Sequence, residues 1–293
     1  MKNWCKDLKR DLKSDVLLAP YTSFKVGGRA ECFYEPADYE DLANLLNIIR
    51  KERIPFYILG AGSNLLISDG KIKGVVIRLN TPYFKRVELE NKKVKAGSGV
   101  RLSSLLKFCL QNNLSGLEFL AGIPGTLGGA LIMNAGTKDK CIGNMVEEVE
   151  VMDRCGQIRK LKSSDLIWKY RGSNLDHYII LSAILKLTKK EKRYILKEIN
   201  DYKQRRFLTQ DLTFPNAGCI FKNPKEMPAG ELIERCGLKG KTVGAAQVSL
   251  KHANFIINRK NACARDILKL INYIKRKVKY CFGIDLELEI KIW

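Results

Sequence analysis

A chain of 293 residues, 45% of them hydrophobic, is long enough for two or three domains and apolar enough to bury a real core, which excludes a disordered chain. Its net charge of +21 points to an anionic partner such as nucleic acid or a phosphate-bearing substrate, or simply to a basic proteome. The nine cysteines form no CxxC pair and no zinc spacing, so reduced thiols and no metal are expected.

Residues 1–20 read as a charged lead-in helix ending at Pro20. Met1–Lys13 lacks the apolar stretch of a secretory leader, so a cytoplasmic location is expected. Within Thr22–Pro36, the run Val26-Gly27-Gly28-Arg29 reads as a turn between short strands. Ala37–Lys51 places Leu42, Leu45, Leu46, Ile48 and Ile49 on one side and predicts a helix. Ile54–Gly60 predicts a buried strand and Gly74–Leu79 another, giving a β-α-β unit with partly parallel pairing in a small α/β lobe. The loop Gly60-Ala61-Gly62-Ser63-Asn64 leaves the first of these strands. Its amides and hydroxyls suit a phosphate, and a plain tight turn would use the same residues. It is not a dinucleotide fingerprint: no third glycine stands in register, and Leu65-Leu66-Ile67 reads as strand rather than helix.

Val87–Ala96 predicts a hairpin turning near Asn91, and Leu102–Gln111 a helix. The chain then enters Leu117–Gly136, LEFLAGIPGTLGGALIMNAG, with glycines at 122, 125, 128, 129 and 136 and a single proline, Pro124. Glycine and proline break the apolar run, which falls short of the ~20 residues a membrane span needs. Two readings stay open: a ligand cradle built from bare amides, or a buried, glycine-kinked core connection. Met145–Met152, Gly156–Leu161 and Tyr178–Leu187 predict strands. Between them, Trp168–Ser173 is a basic and aromatic loop, and its arginine fork suits a carboxylate or phosphate.

Lys189–Arg206 predicts an amphipathic helix with Tyr194, Ile195, Ile199 and Tyr202 on its apolar side and a basic solvent face. Because the remaining basic residues are scattered, nucleic-acid binding is not expected as the main function. Ala229–Cys236 predicts a helix stopped at Gly237, Thr242–Ser249 and Ala253–Asn258 strands, and Ala264–Phe282 a long helix ended by Gly283. Ile284–Trp293 alternates strictly, which predicts a strand with Asp285, Glu287, Glu289 and Lys291 on one face.

Six motifs, in order, resemble the UDP-N-acetylenolpyruvoylglucosamine reductase family of flavoenzymes: TSFKVGGRA at 22–30, LGAGSNLLI at 59–67, AGIPGTLGGALIMNAG at 121–136, YRGS at 170–173, PNAGCIFKNP at 215–224 and LELEI at 286–290. The resemblance implies a mixed α+β and α/β chain with a PCMH-type FAD-binding fold of two lobes, residues 1–78 and 79–188. A C-terminal α+β substrate-binding domain, residues 189–293, follows. It implies non-covalent FAD contacted by Gly60, Ala61, Gly62, Ser63, Asn64, Gly122, Ile123, Pro124, Gly125, Thr126, Gly128 and Gly129. The implied reaction reduces an enolpyruvyl ether to a lactyl ether in peptidoglycan precursor synthesis, with hydride passing from NADPH to FAD to the enol carbon. Three catalytic roles map onto this chain: Arg171 binds the enolpyruvyl carboxylate, Glu289 assists as electrophile or proton relay, and position 219 donates the proton. Family members commonly carry serine there; this chain has Cys219, and a free thiol, with a pKa of about 8.5, is a stronger acid than an alcohol. Tyr170, Lys222 and Asn223 are implied substrate contacts, and Lys203, Arg205 and Arg206 are placed for the diphosphate or for a solvated helix end.

The short spacing between YRGS and the strand at 178–187 implies the shorter form, without a substrate-covering insertion. A monomer is expected. Thr137–Asn144 (TKDKCIGN) departs from the small, glycine-rich continuation usual after NAG in the family. Two rival readings are another PCMH-type FAD oxidoreductase and a basic binding protein that has lost catalysis. The two histidines, His177 and His252, lie outside the flavin-loop motifs, so covalent flavin attachment through histidine is not expected.

Overall fold

The computed structural model describes residues 8–90, 93–137 and 139–293. Strand β1 (Lys13–Leu17) precedes a 3-10 turn at Ala19–Tyr21, then β2 (Arg29–Tyr34), α1 (Tyr39–Lys51), β3 (Phe56–Ile58), β4 (Leu65–Leu66) and β5 (Lys71–Ile77). The middle of the chain runs through β6 (Val87–Glu90), β7 (Lys93–Gly97), α2 (Leu102–Gln111), β8 (Leu114–Ser115), α3 (Leu127–Ile132), β9 (Val146–Met152) and β10 (Ile158–Lys162). There follow β11 (Trp168–Lys169), β12 (Gly172–Ser173), β13 (Ile179–Leu185), β14 (Thr188–Lys189) and α4 (Lys192–Thr209). The last part holds β15 (Asn216–Cys219), α5 (Ala229–Arg235), β16 (Thr242–Val243), β17 (Ala246–Val248), β18 (Phe255–Asn258), α6 (Ala264–Phe282) and β19 (Lys291–Ile292). Among the described residues, no helix is long and apolar enough to cross a membrane.

One compact unit comprises residues 8–14, Glu31–Ala61 and Lys73–Gln204. In it β3 pairs in parallel with β5, Phe56 opposite Val75, as the β-α-β pattern predicted. Helix α1 starts where Asp38 accepts the Asp41 amide, carries Glu40 and Asp41 in its first turn and ends on Arg50 and Lys51. Each of these choices offsets unpaired end groups or the helix dipole. Its buried Leu42, Leu45, Leu46 and Ile49 pack with Val75 and Ile77. A second core lies in the antiparallel sheet β10-β9-β13-β7-β6, where Val149, Val151, Ile180 and Ala183 meet Leu102 and Leu105 of α2 and Leu127 and Leu131 of α3.

The other unit comprises Asp15–Ala30, Gly62–Ile72 and Arg205–Trp293. Its antiparallel sheet β15-β18-β17-β16 packs on α5 and α6 through Leu232, Ile233, Ile256, Ile267, Leu270 and Ile274. Gly283 ends α6 at φ 71°, its amide donating to the Lys279 carbonyl at 2.8 Å. Glycine takes that left-handed conformation without a Cβ penalty, so the helix stops where the sequence predicts.

Several expectations are corrected. The lead-in helix is not found in the described part of 1–20: Asp15 sits at φ 54°, which a helix cannot accommodate, and residues 13–17 are extended. Asp15 is held instead by Arg29 Nε at 2.7 Å. The strand expected at Ile54–Gly60 shrinks to Phe56–Ile58 and is only partly buried, with Pro55 contributing a carbonyl to the Val75 amide but no donor of its own. Trp168–Ser173 is a small hairpin rather than a loop. Tyr194 of α4 is 45% exposed, so only Ile195, Ile199 and Tyr202 serve the apolar side. Thr242–Ser249 is two strands, because Gly244 turns at φ 54° and pairs β16 back onto β17. Ile284–Trp293 is not a continuous strand: Leu288 bridges to Phe221 and only Lys291–Ile292 form a ladder, parallel to β4. The turn expected near Asn91 lies outside the described residues.

Candidate active site

Gly60, at the start of the first glycine loop, approaches the second loop within the first unit. At Gly60, after β3, an added Cβ would stand 2.9 Å from Thr126 Oγ1. Thr126 belongs to the second loop and caps α3, its hydroxyl accepting the Gly129 amide at 3.4 Å. That second loop is pinned from behind: the Leu102 amide donates to the Gly125 carbonyl, and those of Leu127 and Gly128 donate to Val100 and Ser98. Gly128 is therefore a packing glycine, buried with its site for a Cβ 3.0 Å from Ser98 Cβ. Gly122, Pro124 and Gly129 are exposed, and Ile123, Gly125 and Thr126 half-buried.

The unit boundary falls between Ala61 and Gly62. Gly62 turns at φ 62°, its carbonyl accepts the Ser23 amide at 3.0 Å, and a Cβ there would lie 2.1 Å from the Tyr21 carbonyl oxygen. Among the described residues, no protein acceptor takes the backbone amides of Gly60, Ala61, Gly62, Ser63 and Asn64, nor those of Gly122, Gly125 and Thr126. Bare amides of this kind bind anionic oxygens.

The far end of the 117–136 segment carries Arg171. Tyr170 and Arg171 form the turn between β11 and β12, with Arg171 at φ 56°. Three contacts hold this hairpin. Buried Asn134 donates from Nδ2 to the Lys169 carbonyl at 3.1 Å while its Oδ1 accepts the Gly143 amide at 3.1 Å. Ser173 Oγ donates to the Ile132 carbonyl at 3.1 Å, and the Trp168 ring fills the space beside Gly143. The Arg171 guanidinium lies 5.1 Å from the Tyr170 ring centroid, and its Nη1 donates to the Gly136 carbonyl at 3.4 Å. The departing segment Thr137–Asn144 closes on itself, with Gly136 bridged to Cys141 and the Ile142 amide donated to Ala135; Lys138 lies outside the described residues.

In the second unit, Cys219 ends β15 opposite Phe255, half-buried, just after a bulge at Gly218 with φ 76°. Asn216 builds that bulge: its Oδ1 accepts the Gly218 amide at 2.9 Å and its Nδ2 donates to the Asp211 carbonyl at 2.9 Å. Buried Asn254 clamps the next residues, accepting the Phe221 amide and donating to the Phe221 carbonyl, while its own carbonyl takes the Ile220 amide. The Asn254 amide in turn donates to His252 Nδ1 at 3.2 Å, and burial pushes the His252 pKa down, which keeps that nitrogen an acceptor. Glu289 is drawn alongside: its amide donates to the Ile220 carbonyl at 2.8 Å, one residue beyond Cys219. Cys219 and the Glu289 backbone thus lie close together in the second unit, and Arg171 belongs to the first unit.

Family profiles match both parts of the chain: an FAD binding domain over residues 30–162, and the UDP-N-acetylenolpyruvoylglucosamine reductase C-terminal domain over residues 210–293. The UDP-N-acetylenolpyruvoylglucosamine reductase of Clostridium novyi is 42% identical over 286 residues, covering 97% of this chain and 92% of that protein. The chain belongs to the UDP-N-acetylenolpyruvoylglucosamine reductase family. The reductase of Syntrophobacter fumaroxidans is 44% identical, covering 94% of this chain and 81% of its own length. The crystal structure of the Thermus caldophilus family member superposes with a TM-score of 0.83 at 37% identity, covering 97% of this chain and 99% of that one. The family is one of FAD-dependent oxidoreductases, and the mixed helix and sheet fold with an FAD-binding domain and a C-terminal domain follows the expected class.

The remaining candidate residues are placed as follows. Lys222 Nζ pairs with Glu287 at 3.2 Å, and Asn223 Oδ1 accepts the Ala229 amide at 3.0 Å, starting α5. Tyr170 is 56% exposed. Arg205 is exposed on α4, where its carbonyl accepts the Thr209 hydroxyl, and Arg206 is half-buried. Asn134 and Asn216 sit inside the motifs at 121–136 and 215–224 without an assigned role, and Asn254 lies outside every motif. The signal available in sequence is their setting, since each lies beside glycine, alanine or a turn, where an amide side chain finishes backbone hydrogen bonds.

The bare amides of the two glycine loops fit the anionic oxygens of a flavin pyrophosphate. An alanine at Gly62 would carry strain of ~1–3 kcal/mol from its left-handed backbone. Gly62→Ala is therefore expected to weaken FAD binding by about 10- to 100-fold, read as flavin lost on gel filtration and a weaker fluorescence quench on titration.

Proposed function

We propose that this chain reduces UDP-N-acetylglucosamine enolpyruvate to UDP-N-acetylmuramate with NADPH, in peptidoglycan precursor synthesis. Full-length family membership supports this reading. The observation that carries it is the hydrogen bond from the Glu289 amide to the Ile220 carbonyl, which brings the Glu289 backbone against the residue that follows the Cys219 thiol. When bound, non-covalent FAD supplies the redox chemistry, carrying hydride from NADPH to the enol carbon.

The protein's part is binding, orientation and proton delivery. The bare amides of Gly60 to Asn64 and of Gly122, Gly125 and Thr126 hold the cofactor's anionic oxygens. Arg171 grips the substrate carboxylate through its fork and stabilises the charge that grows next to it. Cys219 gives its thiol proton to the carbon adjacent to the hydride acceptor, and Glu289 assists that transfer. Lys222, Asn223 and Tyr170 contact the UDP-sugar, and Arg205 and Arg206 its diphosphate. We place the flavin-binding lobes at residues 1–78 and 79–188, the substrate domain at 189–293, and the enzyme in the cytoplasm as a monomer.

Steady-state assay tests the activity. NADPH consumption should depend on the UDP-sugar enolpyruvate, and mass spectrometry should show a product two hydrogens heavier. NADPH oxidation that ignores the UDP-sugar would contradict the proposal.

A further inference from the structure

We infer that the Asn64 side chain is a positioning residue for Glu289, linking the strand that follows the first glycine loop to the proton-transfer side of the reaction. The inference rests on the role proposed above for Glu289. The family motif implies a cofactor contact for Asn64, yet its side chain turns elsewhere: Nδ2 donates to the Glu289 carbonyl at 3.0 Å. The Asn64 carbonyl also accepts the Lys291 amide at 3.0 Å, and the Glu289 amide donates to Ile220 at 2.8 Å. The Glu289 peptide is thus held on both flanks, by the Cys219 strand on one side and by Asn64 on the other.

This amide replaces a missing ladder. Residues 289 and 290 fall between the Leu288–Phe221 bridge and β19, where no regular strand pairing fixes the register. A side chain reaches only as far as its Cα allows, and a misplacement of ~1 Å at a reacting centre costs about 10²-fold. The Glu289 carbonyl needs a donor from position 64; an aspartate has the shape of asparagine but presents an acceptor to an acceptor. The backbone amide of Asn64 stays free for the cofactor loop, so the residue serves the two sides with different atoms.

The test separates those sides in the holoenzyme. Asn64→Ala and the isosteric Asn64→Asp should each slow reoxidation of the reduced enzyme by substrate about 10-fold, while Asn64→Ser, which keeps a donor, should recover part of the loss. Reduction by NADPH and the FAD dissociation constant, read from flavin fluorescence, should stay within about 3-fold of the parent. Adding Asn64→Ala to Glu289→Gln should cost nothing further, because both changes remove one function. Additive losses, equal slowing of both half-reactions, or FAD binding weakened about 10-fold would each overturn the inference. A Glu289→Gln variant that reoxidises at the parent rate would remove the Glu289 reading itself, and the inference with it.

Discussion

Cys219→Ala is expected to lose about 10²–10⁴-fold in reduction of the enolpyruvyl substrate, the usual worth of a positioned proton donor, and to go on oxidising NADPH. Gly218 at φ 76°, fixed by Asn216, shifts the register so that Cys219 rather than Gly218 faces Phe255. Asn254 and the Glu289 amide then lock the two following residues, so a side chain at 219 has little freedom to drift. Cys219→Ser keeps a hydroxyl at the same Cβ and should retain substantial activity. The thiol is a stronger acid than the alcohol, so serine should be slower where proton release limits the rate. The Asn216 and Asn254 side chains that hold this bulge stay in place in the alanine variant, so its melting temperature should stay close to the parent's. Rapid-quench measurement of product on the reduced enzyme checks this directly. Native-rate turnover by Cys219→Ala would assign the proton to water.

Arg171→Ala should lose about 10²–10³-fold in the same half-reaction, the cost of removing one preorganised charge-stabilising donor. Its left-handed backbone at φ 56° is held by the Asn134 and Ser173 side chains, which do not depend on the guanidinium. Alanine and lysine meet the same backbone penalty as arginine at that φ, so the comparison isolates the side chain. Arg171→Lys keeps the charge but not the planar fork, and should fall between alanine and arginine. Stopped-flow reoxidation across substrate concentrations separates weaker binding from slower chemistry. A variant that changes only reduction by NADPH would show that Arg171 serves another step.

The sequence carries local features faithfully. Leu102–Gln111 and Ala264–Phe282 fold as helices between the residues that periodicity names, because apolar stripes and Gly283 are local signals. The alternation from Ile284 to Trp293 misleads. Leu286 and Ile290 are buried, but Ile292 is 41% exposed, and partners from residues 64–68 and 220–222 divide the segment. The site divides in the same way. Gly60, Gly62 and Arg171 stand in motifs whose residue types announce bare amides or a fork. Asn134, Asn216 and Asn254 hold the Arg171 hairpin and the Cys219 bulge through hydrogen bonds to backbone reached partly across long stretches of chain, which spacing does not reveal.

Stopped-flow flavin absorbance under anaerobic conditions tests the central claim most directly. The holoenzyme should bleach when mixed with NADPH, then regain its oxidised spectrum when UDP-N-acetylglucosamine enolpyruvate is added. An enzyme that holds FAD and bleaches, but stays reduced in the presence of that substrate, would contradict the proposed function.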